Sequence, residues 1–176
     1  MAGKMTPALA LRLRTIPDGD AGTRATLYAM RAIVRESVTV PAVRAVAVRL
    51  AMEVAPGNTR GIIDAISDYC HRVIHFTRDP LGVEQLHYPE VMLAMIERVG
   101  RVGVDCDDAA MLVAVLAESV GVPARFSAVA FVDRAAPFSH VYAELSDGLG
   151  WRIVDPTRPA QRLDTVAVTR IMRLDV

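Results

Sequence analysis

The sequence is poor in cysteine. It holds two, Cys70 and Cys106, in 176 residues. Two thiols are too few for a disulfide framework, and Cys70 falls inside an expected helix, so reduced thiols in a reducing compartment are the expectation. A surplus of either charge sign is also lacking. Twenty Lys and Arg balance twenty Asp and Glu, which argues against a nucleic-acid or anionic-membrane binder, since both need a basic excess. No apolar run approaches the roughly 20 residues of a membrane span. The apolar patch before Arg12 is about five residues long, shorter than the roughly 7–15 of a secretory core. There is no internal repeat and no low-complexity segment. These absences predict a cytoplasmic protein, or one packaged from the cytoplasm into a virion. What remains is an ordinary globular composition, 52% hydrophobic and 23% charged, in a chain long enough for one domain with a real core.

Pro7, Pro17 and Asp18-Gly19-Asp20 mark residues 1–22 as an extended arm. Thr23 can cap a helix over 24–37, and Pro41 opens a second, to about Val54. Pro56-Gly57-Asn58-Thr59 breaks the chain before a third helix, over 60–77. That helix would carry Cys70 as a small buried residue. It would also carry His71 and His75 as a solvated pair, because no third metal ligand follows at a telling spacing. Residues 78–89 read as a loop of the kind that lines a site. A short helix over 90–98 and a glycine-flanked link lead to Val104-Asp105-Cys106-Asp107-Asp108. The next helix, to Val120, is apolar on nearly every side and must be buried. Three strand-like runs follow: Ala124–Val132, His140–Leu145 and Trp151–Val154. Asp147-Gly148-Leu149-Gly150 is the turn between the last two. The tail, 158–176, alternates weakly and is expected at a sheet edge. Helices first and an antiparallel sheet second give an α+β fold with one buried helix packed on the sheet. Residues 1–58 form an N-terminal arm and helices packing on a core of 59–176, within a single compact domain.

Cys106 opens the buried helix, where free N–H groups and the helix dipole favour a thiolate. His140 and Asp155 follow on strand-like runs. The fifteen residues between them suit adjacent antiparallel strands, which would set them side by side. Cys, His and Asp in this order are the parts of a thiol acyl-transfer triad: nucleophile, base and acid, and orienting carboxylate. An oxyanion hole would take the Cys106 N–H and a second donor, for which Gln85, His87 and Tyr88 in the upstream loop are candidates. Asp105, Asp107 and Asp108 read as cap and dipole partners. A calcium ion takes roughly six to eight oxygens and three carboxylates are visible, so no metal is assigned. Arg125 and Glu144 can face one another as a structural ion pair, and Trp151 suits the core or a lid.

Gly103-Val-Asp105-Cys106-Asp107-Asp108-Ala109, Leu116 to Phe126, Ser139-His140-Val-Tyr-Ala-Glu144-Leu and Gly150-Trp151 to Asp155-Pro156-Thr157 stand in the order of the transglutaminase-like superfamily core. Over residues 60–157 the chain resembles that family, and most closely its bacterial and phage cysteine proteinases. The resemblance implies a papain-like core with Cys106 as nucleophile, His140 as base and acid and Asp155 as orienting carboxylate. Some bacterial relatives bind calcium beside the nucleophile. Val104 stands where a glycine is usual, and Tyr142 where tryptophan is commoner.

The expected activity is cysteine-dependent hydrolysis of, or acyl transfer from, an amide bond through a thioester. It needs no cofactor and acts on a protein or peptide, and hydrolysis is preferred over cross-linking. The rival reading is a phage-associated structural or assembly module that keeps the fold and uses residues 1–58 to engage a particle or oligomer partner. A third is an amidase that removes a glycan from a protein.

Overall fold

The computed structural model describes residues 15–80, 84–131, 133, 135–158 and 168–176. Most of the expected N-terminal arm, residues 81–83 of the site-lining loop and most of the tail before Val168 lie outside these residues.

The first helix, α1 (Gly19–Ser37), begins five residues before the expected start. Asp18-Gly19-Asp20 opens the helix rather than ending an arm. Thr23 lies inside it, and its hydroxyl donates to the Gly19 carbonyl at 3.4 Å. Packing explains the extension. Leu27, Met30 and Val34 are buried, and the stripe runs back to buried Gly22. A Cβ on Gly22 would lie 1.9 Å from the Pro17 carbonyl oxygen, so only glycine lets the incoming chain lie against the helix.

Helix α2 (Pro41–Met52) starts at its proline and buries Val43, Ala47 and Leu50, as expected. Helix α3 (Thr59–Val73) is capped by the Asn58 side chain, which accepts the Gly61 N–H at 2.9 Å. It stops four residues short of the expected end. Ile74–Phe76 leaves the helix as strand β1 and pairs in parallel with β2 (Val102–Val104), the stretch read as a link. Strand pairing at long range overrides local helix preference here. The supposed helical histidine pair is thereby split. His71 stays on α3, where its Nδ1 meets the Ser67 carbonyl at 2.8 Å. His75 sits on β1 opposite Gly103. A Cβ on Gly103 would come within 2.7 Å of Thr77 Oγ1 and 2.8 Å of His75 Nε2, so the glycine makes room for both side chains.

Helix α4 (Pro89–Val99) ends at left-handed Gly100. Helix α5 (Cys106–Glu118) follows β2 directly, and every residue from Asp107 to Ala117 is buried. The chain then forms β3 (Ala124–Phe131), β4 (His140–Ser146), β5 (Trp151–Val154) and β6 (Val168–Asp175). These make one antiparallel sheet in the order β5-β4-β3-β6. The tail therefore supplies an edge strand, against β3. The β4–β5 turn closes through the Asp147 N–H to the Gly150 carbonyl. Helix α5 lies between the sheet on one side and α1 to α4 on the others.

Arg125 and Glu144 are cross-strand partners and are ion-paired, as expected. Ser127 Oγ also donates to Glu144, at 2.6 Å, and Arg173 Nε at 3.3 Å. Burial alone would raise the Glu144 pKa, but these partners hold it below its usual value. Trp151 is neither core nor lid. It is 40% exposed on β5, with the Arg125 guanidinium 4.0 Å from its ring centroid.

Leu112, fully buried in α5, tests this enclosure. Leu112→Ala is expected to lower unfolding free energy by about 2–5 kcal/mol, read from the urea midpoint at unchanged m. A smaller loss would mean that the helix is not closely packed on all sides.

Candidate active site

Strand β2 runs into α5 through Asp105. The Asp105 carboxylate caps the helix by accepting the N–H groups of Asp107 at 3.2 Å and Asp108 at 3.3 Å. Cys106 is thus the first helical residue, delivered from a strand and held by a cap. His140 is the first residue of β4, and Asp155 is the residue just beyond β5. The β4–β5 register pairs Ala143 with Val154, which brings Asp155 alongside the start of β4. His140 Nε2 and Asp155 Oδ2 are 2.6 Å apart, with side chains only 5% and 3% exposed. The second Asp155 oxygen accepts the Thr157 N–H at 3.1 Å and the Thr157 hydroxyl at 2.7 Å. The Phe131 ring stacks on His140 with centroids 6.4 Å apart. With Nε2 engaged by Asp155, Nδ1 is the ring nitrogen left for a reacting group.

Cys106 and His140 line two adjoining cavities, together with Asp105 and Ser139. The first, about 320 Å³, is walled by Ile16, Pro17 and the first turns of α1, with Glu84 and Asp107 at its polar end. The second, about 430 Å³, is lined by Phe76, Arg78, Asp79, Thr157 and Arg158. The N-terminal segment, expected to pack on the core, also forms a wall of the candidate site.

Electrostatics at the helix start run against the expectation from the dipole. Burial pushes the Cys106 thiol up, the Asp107 carboxylate adds to this, and the Val141 backbone N–H opposes it. Sγ donates weakly to Asp107 Oδ1 at 3.5 Å. Asp107 is itself raised well above the usual carboxylate range by burial and by the Glu84 carboxyl beside it. Burial lifts Asp105 to about 7, opposed by its backbone hydrogen bond from Asp108 and reinforced by the Asp108, Asp79 and Glu84 charges. Cys70 is fully buried and pushed up to about 12 by that burial, as its reading as a packing residue requires.

The three upstream candidates do not line either cavity. The Gln85 N–H donates to Asp79 Oδ2 at 2.5 Å. His87 is pinned by fully buried Asp108, which accepts its backbone N–H at 2.7 Å and lies 2.5 Å from its Nδ1. Tyr88 donates its hydroxyl to Glu36 on α1 at 2.9 Å. Instead Glu84, just before them, reaches the first cavity. The Asp105, Asp107 and Asp108 trio does not act as one set. The close group is Glu84, Asp105 and Asp107, whose oxygens lie within 4.8 Å of one another. No local pattern marks Glu84, whereas Asp155-Pro156-Thr157 carries the spacing of an Asp side chain bonded two residues on.

The transglutaminase-like superfamily matches residues 48–156. That is more than half of the chain, and the protein belongs to this superfamily. The match begins inside α2. No curated protein matches the chain significantly. A solved structure of a candidate protease from Parabacteroides distasonis superposes with a TM-score of 0.58 at 14% identity, over 74% of this chain and 26% of that one. A candidate cysteine protease from Cytophaga hutchinsonii gives 0.49 at 20% identity, over 73% of this chain and 41% of that one. The chain thus spans less than half the length of either. The first likeness and the family together establish the α+β, papain-like core. Among the described residues no helix is long and apolar enough to cross a membrane.

The raised Asp105 carboxyl has a consequence for stability. A folded pKa above the unfolded value means that the folded state holds the proton more tightly. Its contribution is present below the unfolded pKa, near 4, and is lost as pH rises through about 7. Asp105→Asn, which can still cap, is expected to flatten the fall in melting temperature between pH 5 and 8. An unchanged pH slope would show that Asp105 titrates normally.

Proposed function

We propose that the protein is a cysteine-dependent amide-bond hydrolase or acyltransferase, with Cys106 as nucleophile, His140 as general base and acid, and Asp155 as orienting carboxylate. The observation that carries this reading is the buried His140 Nε2–Asp155 Oδ2 contact at 2.6 Å beside a cavity shared by His140 and Cys106. Asp155 fixes the imidazole in the tautomer with a proton on Nε2, and Thr157 holds Asp155. Nδ1 is then free to take the thiol proton.

In the reaction the Cys106 sulfur attacks the amide carbonyl as its proton passes to His140. The new C–S bond forms and the carbonyl π electrons move to oxygen. The Asp105 cap takes the N–H groups of Asp107 and Asp108, which leaves the Cys106 N–H to meet that oxyanion. The C–N bond then breaks, and His140 returns its proton to the leaving amine. The resulting thioester is resolved by water or by a second amine, with His140 again as base.

The raised thiol pKa fits a resting thiol at Cys106. Burial disfavours an isolated thiolate, so the nucleophile forms by transfer to His140 rather than by loss of a proton to water. No observation favours the assembly-module reading.

Alkylation by iodoacetamide, followed for each thiol by mass spectrometry, tests the pair. Cys106 is expected to react near neutral pH while Cys70 stays silent, and His140→Ala is expected to remove most of that reactivity. Equal Cys106 rates in the two proteins would overturn the reading. On a denatured-protein mixture scored for new amino termini, Cys106→Ala is expected to abolish cleavage. Asp155→Asn should reduce it by on the order of 10³–10⁴, and Thr157→Val by less, since Asp155 retains its contact with His140.

A further inference from the structure

Of the two cavities that meet at Cys106 and His140, only the second has arginines among its described lining residues. The first is lined by the carboxyl groups of Glu84, Asp105 and Asp107, of which the last two are shifted toward their neutral forms and Asp105 also lines the second. The second holds two guanidinium groups, Arg78 and Arg158. Its own carboxylates are already engaged. Asp79 accepts the Gln85 N–H, and Asp105 accepts two N–H groups of α5. Among the described residues no carboxylate pairs with Arg78 or Arg158.

Arg158 is not a loose surface charge. Its guanidinium stands 5.0 Å from the centroid of the Phe131 ring, and Phe131 stacks in turn on His140. Its backbone N–H donates to the Asp155 carbonyl at 3.3 Å. The cation is therefore anchored, through one ring and one backbone bond, to the same two residues that organise the thiol's partner. Phe76, 48% exposed, gives the same cavity an apolar lining. Cationic forks beside an exposed ring suit a short apolar stem that ends in a carboxylate.

We propose that this second cavity is a carboxylate subsite, in which Arg78 and Arg158 hold an anionic group of the substrate next to the scissile amide. The inference rests on Cys106 as the reacting centre and adds a direction to it. An anionic substrate group lies toward Thr157 and Arg158, because among the described residues only that cavity offers it guanidinium partners. The carboxylate has two sources with the same chemistry: the free end of a peptide, or an Asp or Glu side chain beside the bond.

The test uses the full chain carrying Cys106→Ala, with backbone amides followed by NMR. Four probes are titrated: N-acetyl-alanyl-alanine, its C-terminal amide, N-acetyl-aspartic acid α-amide and N-acetyl-asparagine α-amide. At least one acid is expected to bind about fivefold or more tighter than its neutral partner, the modest gain of a partly exposed charge pair. Its shifts should centre on Thr157 and Arg158, and the preference should shrink as salt is raised. Preference for the alanyl acid alone assigns a peptide end, and preference for the aspartyl probe assigns an acidic side chain. The preference should vanish in Arg78→Gln/Arg158→Gln and partly survive in the double lysine variant, which keeps the charge where a glutamine change disturbs packing on Phe131. Equal binding of acids and amides, no saturable binding, or a preference unaffected by loss of both arginines would overturn the proposal. Because this protein lacks the nucleophile, the result is independent of catalysis. An acid-selective cavity with an inert wild-type Cys106 would end the hydrolase reading and leave the subsite.

Discussion

Helix α5 is apolar around its whole circumference, and a helix of that kind is stable only where every side is covered. The sheet covers one side, and α1 to α4 cover the rest. At the first turn the enclosure is incomplete, and Cys106 is half-buried there while its neighbours Asp107 and Asp108 are buried. The same enclosure fixes the thiol's position and removes water from it. The strand pairing that turns β4 and β5 toward this helix end sets the His140–Asp155 contact against the same opening.

Burial has an electrostatic effect that the helix dipole does not offset. The thiol and the Asp105, Asp107 and Asp108 carboxyls are all shifted toward their neutral forms. Dipole stabilisation is worth about 0.3–1 kcal/mol at an exposed helix end, which is small beside the loss of hydration in a buried one. The proposed nucleophile therefore needs an internal proton transfer, for which the reading uses His140 held against Asp155.

The N-terminal helix contributes more than packing. The first cavity is walled by Ile16, Pro17 and the opening turns of α1, which lie before the residues matched by the superfamily. Tyr88 and Ser37 tie this helix to the loop and helix upstream of the cysteine, through Glu36 and Glu90. One side of the cleft is thus shaped by residues outside the superfamily match, and the other by the Phe76–Asp79 and Thr157–Arg158 segments.

Residue pattern alone determined the helices built on three-to-four spacing, the burial of α5, the antiparallel run of β3 to β5 and the order Cys106, His140, Asp155. These follow from local periodicity and from side-chain chemistry, which a sequence carries explicitly. The Arg125–Glu144 pair was legible for the same reason, since strand alternation puts them on one face. Tertiary structure alone decided the rest. It ended α3 at Val73 because Ile74–Phe76 found a partner in Val102–Val104. It extended α1 back to Gly19 because Gly22 could pack under Pro17. Gln85, His87 and Tyr88 were drawn to Asp79, Asp108 and Glu36, and Glu84 was left at the cavity. The direction of the thiol shift was decided there too. Solvent exclusion and the charges that gather around one atom depend on segments far apart in the chain, and no local spacing encodes them.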